Sequence, residues 1–244
     1  MTFLFTSWSF SRYSDYHMCP AKAKYKYLEK VRTDEMIQRE NDERSGKLPE
    51  NPLARGERVA KVTENYLKKK TRTLPSDIAA LGREYKALRE KQLTVEDSWG
   101  FDKDWRPCGV TDWNRCWLRV KIDINYIESI QRKDWLRIID NKTGRYRLEK
   151  YEEYQEQLHL YGVAGLARMP TVVGVSAQLY YSDEGIVYPK DGPVVFERRE
   201  LEMMKKVWEK KLKPFFNDRK FTPKPGYYCQ WCDYSKKKGG PCKY

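Results

Sequence analysis

Between Trp117 and Ile127 the chain reads WLRVKIDINYI, and Leu118, Val120, Ile122, Ile124 and Tyr126 alternate with Arg119, Lys121, Asp123 and Asn125. Side chains along a strand point to opposite faces in turn, so this pattern describes a half-buried β-strand and fits no helix. A second strand is expected from Trp135 to Lys142 (WLRIIDNK), ending at Thr143-Gly144, with a long helix following from about Glu149 to Met169. Residues 171–181 and 185–188 supply two further strands, then a lysine-rich helix runs from about Phe196 to Leu212, and a loop-like tail begins at Pro214. Ahead of the strands, a helix from about Leu53 to Lys70 carries Val59, Val62, Tyr66 and Leu67 on one face, and a second covers Pro75 to Lys91. The stretch from Ser9 to Val31 reads as helical segments broken at Pro20, and residues 41–52 as a loop. The order predicts an α/β fold: a central mixed sheet flanked by helices.

At 244 residues the chain buries one sizeable core. It reads as a single domain with an N-terminal helical segment (1–52) and a C-terminal cysteine tail (214–244). It has no apolar run of the roughly 18 to 20 residues that a membrane span needs. The opening MTFLFTSWSFSR has no basic start, long apolar run or small-residue cleavage site, which predicts a cytoplasmic protein. Lys+Arg 48 against Asp+Glu 35 leaves a formal charge of +13, which favours a polyanion, with nucleic acid the leading candidate. The chain is also rich in Tyr (18) and Trp (8), whose rings stack on bases when interleaved with cations. It has no glycine-rich phosphate loop, so nothing in it points to nucleotide hydrolysis.

The chemistry-bearing residues lie on the two strands. Alternation puts Asp140 and Lys142 on one face of the second strand, and Asp123 on the polar face of its neighbour. Two carboxylates from adjacent strands make an oxygen-lined site for Mg²⁺ or Mn²⁺, and a nearby lysine can position a water or stabilise developing charge. In the following helix Tyr154, Gln157 and Tyr161 fall at i, i+3 and i+7, on one face.

Taken together, Asp123, Ile138-Ile139-Asp140-Asn141-Lys142-Thr143-Gly144 and Gln157-Leu158-His159-Leu160-Tyr161 resemble the PD-(D/E)XK superfamily. In detail they resemble its RecB-like exonuclease branch, which includes CRISPR-associated iron-sulfur exonucleases and phage exonucleases. The resemblance extends from Ser9 to Cys242 and implies a metal-dependent DNA exonuclease. It makes Asp123, Asp140 and the Asn141 carbonyl the Mg²⁺ or Mn²⁺ ligands, and Lys142 the residue that orients the attacking water. It sets Gln157 and Tyr161, with Tyr154 on the same face, beside the DNA, which would carry a free end or be single-stranded. It also suggests a setting in recombination, repair or phage DNA processing.

One departure stands out. Arg55-Gly56-Glu57-Arg58-Val59-Ala60 is similar to the family segment in which a metal-binding histidine follows the glycine by four residues, and here that position is Ala60. Three explanations stay open: a ligand moved to Glu64 or Glu57, one helical turn away; an engineered histidine-to-alanine change; or a degenerate chain that binds DNA without cutting it.

Cys229-Gln230-Trp231-Cys232, followed by Cys242, has metal-ligand spacing in a tail rich in Pro, Gly and Lys that cannot pack a core unaided. The resemblance selects Cys19 as fourth ligand and implies a 4Fe-4S cluster clamping the chain ends. Zn²⁺ is the alternative, since both accept four thiolates, and a zinc-stabilised binding module with an incidental acidic pair is a further rival reading. Cys108 and Cys116 have no such spacing and read as ordinary thiols. His17 and His159 read as structural.

Overall fold

The structure, a computed structural model, describes residues 4–244. It divides into two compact units: Pro52–Trp208, and the residues up to Asn51 together with Glu209–Tyr244. The sequence pattern suggested one domain with appendages; in the structure the two chain ends form a unit of their own.

The larger unit holds a seven-stranded mixed sheet. Its strands are β1 (Leu93–Phe101), β2 (Pro107–Cys108), β3 (Leu118–Ile130), β4 (Lys133–Lys142), β5 (Gly174–Tyr181), β6 (Ile186–Tyr188) and β7 (Val194–Glu197). The order is β2-β1-β3-β4-β5-β6, with β7 also pairing β5. β3 and β4 pair antiparallel with Ile124 opposite Ile139, whereas β4 and β5 pair parallel with Lys142 opposite Tyr181. A parallel pair needs a crossover, supplied by the helix Tyr151–Arg168.

This register sorts the side chains. Ile124, Ile139 and Tyr180 share one face, where they form a buried core with Val59 and Tyr66 of the helix Pro52–Leu67, Ile78, and Tyr85 of the helix Gly82–Arg89. Leu136, Ile138, Asp140 and Lys142 share the other face. The crossover helix lies on that second face at close range. A Cβ at Gly165 would stand 2.8 Å from both Leu136 Cδ2 and Val175 Cγ2, so only glycine lets the helix approach this far.

The smaller unit is mainly helical, with helices Phe10–Met18, Pro20–Ala23 and Asp34–Arg44. Ser9 caps the first through its side chain, Pro20 opens the second, and Thr33 caps the third. Phe5, Phe215 and Phe221 pack together, the first two stacked with ring centroids 4.2 Å apart. Arg39 grips Asp233 with a fork of bonds at 2.8 and 3.3 Å, tying the third helix to the cysteine tail.

Several boundaries differ from expectation. The helix predicted from Phe196 begins at Leu201, because Val194–Glu197 pairs with β5 as an edge strand. The Glu197–Glu200 capping box marks that change of direction. This helix also runs through Pro214 to Asn217, past the point where the tail was expected to start. The stretch from Pro75 is a 3-10 segment, Ser76–Leu81, before it becomes helix, and residues 41–44 belong to a helix rather than a loop. No helix among the described residues is long and apolar enough to cross a membrane.

Candidate active site

Asp123 and Asp140 stand in register on adjacent strands and on one face, because Ile124 pairs with Ile139 one step earlier. Asp123 Oδ2 accepts the Asn141 backbone N–H at 2.8 Å. Asp140 is only 6% exposed, and the Tyr161 hydroxyl donates to its Oδ1, which Gln157 Nε2 also approaches at 3.4 Å. Its Oδ2 forms an ion pair with Lys142 Nζ at 2.7 Å but accepts no well-aligned hydrogen bond. Burial, and next the neighbouring Asp140 carboxylate, push the Asp123 carboxyl up to about 7. Burial opposes the Lys142 charge, but the Asp140 and Asp123 carboxylates outweigh it and hold the ammonium above its ordinary value. Two buried carboxylates side by side with a single lysine leave a net electrostatic demand for another cation.

Two supports behind this pair have no sequence signature. Tyr85, fully buried on the opposite face, donates its hydroxyl to Asn141 Oδ1 at 2.7 Å and lies 3.1 Å from Ser182 Oγ. It thereby fixes the residue whose N–H holds Asp123. Arg55 grips Asp183 at 2.6 and 2.7 Å, and Asp183 accepts the Gly144 N–H at 2.7 Å. These contacts tie the helix Pro52–Leu67 to the loop just after Lys142. A Cβ at Gly56 would lie 3.7 Å from Thr143 Oγ1, so the face carrying Gly56 and, one turn on, Ala60 looks toward that loop.

Glu64, also on this helix, is engaged elsewhere. Lys61 and Lys68 bind its carboxylate at 2.8 and 2.7 Å, and their hydrogen bonds, Lys61 first, draw its pKa down to about 2. Tyr154 lies 6% exposed among Tyr146, Tyr181 and Tyr188, with centroids 5.6 to 5.8 Å away. Its ring is enclosed rather than presented to a ligand: helical spacing aligned it with Gln157 and Tyr161 but could not show the loop residue Tyr146 folding over it. His159 accepts the Trp208 indole N–H at 2.9 Å and packs edge-on against Phe196, a structural position.

In the smaller unit Cys19, Cys229, Cys232 and Cys242 line one cavity together with Tyr25 and Tyr228. Cys19 Sγ accepts the Lys224 N–H and Cys229 Sγ the Gly226 N–H, each at 3.4 Å. Burial pushes the Cys232 thiol up from its ordinary value. Among the described residues, no three His, Cys, Asp or Glu side chains stand at the spacing of a single-ion site, either here or at the strand carboxylates.

A family model for the PD-(D/E)XK nuclease superfamily matches residues 7–236. The chain belongs to the PD-(D/E)XK nuclease superfamily. The central mixed sheet flanked by helices is the fold expected of a member, and membership makes this protein a nuclease, of a kind that usually works with a divalent metal such as Mg²⁺ or Mn²⁺. No curated protein is detectably related to it in sequence. Among solved structures it is similar to one titled "Crystal structure of SSO0001", at 11% identity and a TM-score of 0.37, covering 94% of this chain and 84% of that one.

Proposed function

We propose that this PD-(D/E)XK protein is a divalent-metal-dependent DNA exonuclease of the RecB-like branch. The observation that carries the reading is the Asp123–Asp140 pair, in register on one sheet face, with Lys142 ion-paired to Asp140 and the Asn141 N–H bonded to Asp123. The donors suit a hard cation: two carboxylates and the Asn141 backbone carbonyl. When bound there, Mg²⁺ or Mn²⁺ supplies Lewis acidity toward the phosphate and makes water a stronger acid.

The chain's own residues do the rest. Asp123 and Asp140 would hold the ion, and Tyr161 and Gln157 fix the orientation of the Asp140 carboxylate. Lys142, half-buried and ion-paired to Asp140 on the same face, would orient the attacking water or stabilise charge on the phosphate. Gln157 would lie nearest the scissile strand; Tyr161, expected beside it, is only 3% exposed and acts through its bond to Asp140, and Tyr154 acts through packing. The surplus of basic residues, +13 overall, favours the DNA backbone. The setting is cytoplasmic recombination, repair or phage DNA processing.

The four cysteines of the smaller unit hold a structural 4Fe-4S cluster. Support comes from the donor set: four sulfurs around one cavity, two of them accepting backbone N–H bonds of the kind that stabilise thiolate. Zn²⁺ is the alternative occupant, since it also accepts four thiolates.

Incubating the protein with linear and circular single-stranded DNA, in Mn²⁺ and in chelator, tests the function. The expected result is loss of the linear DNA only, and only with Mn²⁺. Cutting of circles would replace exonuclease by endonuclease, and binding of both DNAs without cutting would favour a non-catalytic DNA-binding subunit.

A further inference from the structure

The stretch between β1 and β3 carries three tryptophans with different surroundings. Trp105 and Trp117 are buried, 3% and 8% exposed, and meet edge to face with ring centroids 5.4 Å apart. Trp113, between them in sequence, is 78% exposed, more than any other large apolar side chain described in the unit Pro52–Trp208.

A single exposed apolar side chain is ordinary on a protein surface. Trp113 differs in how firmly it is held. Asp112 closes its turn: Oδ1 accepts the Asn114 and Arg115 N–H groups at 3.3 and 3.1 Å, and the Asp112 carbonyl accepts the Cys116 N–H at 2.7 Å. Arg119 of β3 donates its Nε–H to the Val110 carbonyl at 3.0 Å and sets its guanidinium 4.6 Å from the centre of the Trp113 ring. The cation covers one face of the indole, and the high exposure leaves the other to solvent. Such a ring is a platform for an unpaired base, with a cation beside it for the phosphate backbone.

β3 relates this platform to the candidate active site. Arg119, Lys121 and Asp123 are alternate residues of one continuous strand, so they share a face of the sheet, and four residues at about 3.3 Å each put Arg119 about 13 Å from Asp123. Lys121, between them, is 62% exposed and paired with Glu96 at 2.6 Å. A strand with its phosphate at Asp123 and Asp140 therefore reaches Trp113 within a few nucleotides.

We propose that Trp113, backed by Arg119, stacks on an unpaired base of single-stranded DNA a few nucleotides from the bond that is cut. A single strand fits better than a duplex, whose bases already stack on one another. The assignment rests on the nuclease reading above, which supplies the strand.

Fluorescence anisotropy of a labelled single-stranded oligonucleotide, in chelator and in Ca²⁺, tests it on the parent, Trp113→Ala and Trp113→Phe, with an abasic strand of equal length as control. Trp113→Ala is expected to weaken binding about 5- to 100-fold and Trp113→Phe far less, while the abasic strand binds the parent and Trp113→Ala alike. If Trp113→Ala binds the oligonucleotide like the parent, the assignment is overturned and the nuclease reading stands; a smaller size for that variant in size-exclusion chromatography would then give the indole to a second copy of the chain. Equal loss on normal and abasic strands would also overturn it, leaving Trp113 a support for its own loop. If the parent neither binds the oligonucleotide nor cuts it in Mn²⁺, the nuclease reading fails and this assignment fails with it.

Discussion

Replacing Asp123 by Asn keeps the side-chain shape and leaves an oxygen to accept the Asn141 N–H, but removes one of two carboxylates that oppose each other in the metal-free protein. The folded carboxyl is raised from 3.8 to about 7. A carboxyl raised on folding contributes stability below the unfolded pKa and loses it as pH rises through the folded one. Above pH 7 the cost is roughly three pH units at about 1.4 kcal/mol each, or about 4 kcal/mol; part of the group faces water, so this is an upper bound. Asp123→Asn should therefore stabilise the chelator-treated protein by about 2–4 kcal/mol at pH 8, by less than half as much at pH 5, and not at all below about pH 4. Urea unfolding of both proteins at pH 8 and pH 5 reads this directly. A variant less stable than its parent at pH 8, or a gain equal at both pH values, would refute the electrostatic account. The same variant should have lost Mn²⁺-dependent cleavage, so that stability and activity move in opposite directions.

Lys142→Ala should lower DNA cleavage by about 10²- to 10⁴-fold while DNA affinity and far-UV circular dichroism stay near the parent's; normal cutting would remove Lys142 from the site. Tyr85→Phe keeps the buried ring but loses the hydroxyl bonded to Asn141, so kcat should fall about tenfold with KM for DNA unchanged, and a change in KM alone would contradict its positioning role. Cys232→Ser should lose bound iron and lower the melting temperature, because ligation is coupled to folding of the tail; full iron content would count against the four-cysteine assignment. Gly162→Ala would set a Cβ 2.6 Å from Phe196 Cγ, and should cost about 1–3 kcal/mol by urea unfolding, with a neutral result implying more slack between the crossover helix and β7 than the structure has.

The strands around Asp123 and Asp140 were legible because their alternation is unbroken and their polar exceptions coincide with the site. β1 was not legible. Its apolar face, Leu93, Val95, Trp99 and Phe101, is interrupted by Asp97, and only the structure shows that Asp97 sits there to accept the Trp99 indole N–H at 2.6 Å. Missing β1 meant missing the strand that pairs with β3 on the side away from β4. Tyr85 was out of reach for the same reason: it meets Asn141 across 56 positions of sequence. The edge strand Val194–Glu197 was absorbed into the helix that follows it, because four residues are too few to declare a period of two. The C-x-x-C spacing, by contrast, is local and was readable, whereas the cavity that joins Cys19 to the tail depends on how the chain ends fold together.

The most direct test of the central claim is cleavage of end-labelled DNA by this chain and by its Ala60→His variant, side by side with Mn²⁺ and with chelator. With Asp123, Asp140 and Lys142 in place, both proteins should cut in Mn²⁺ and neither in chelator. If neither cuts in Mn²⁺ although both bind the DNA, the Asp123–Asp140 pair is not a working metal site, and the protein is a DNA-binding member of a nuclease superfamily.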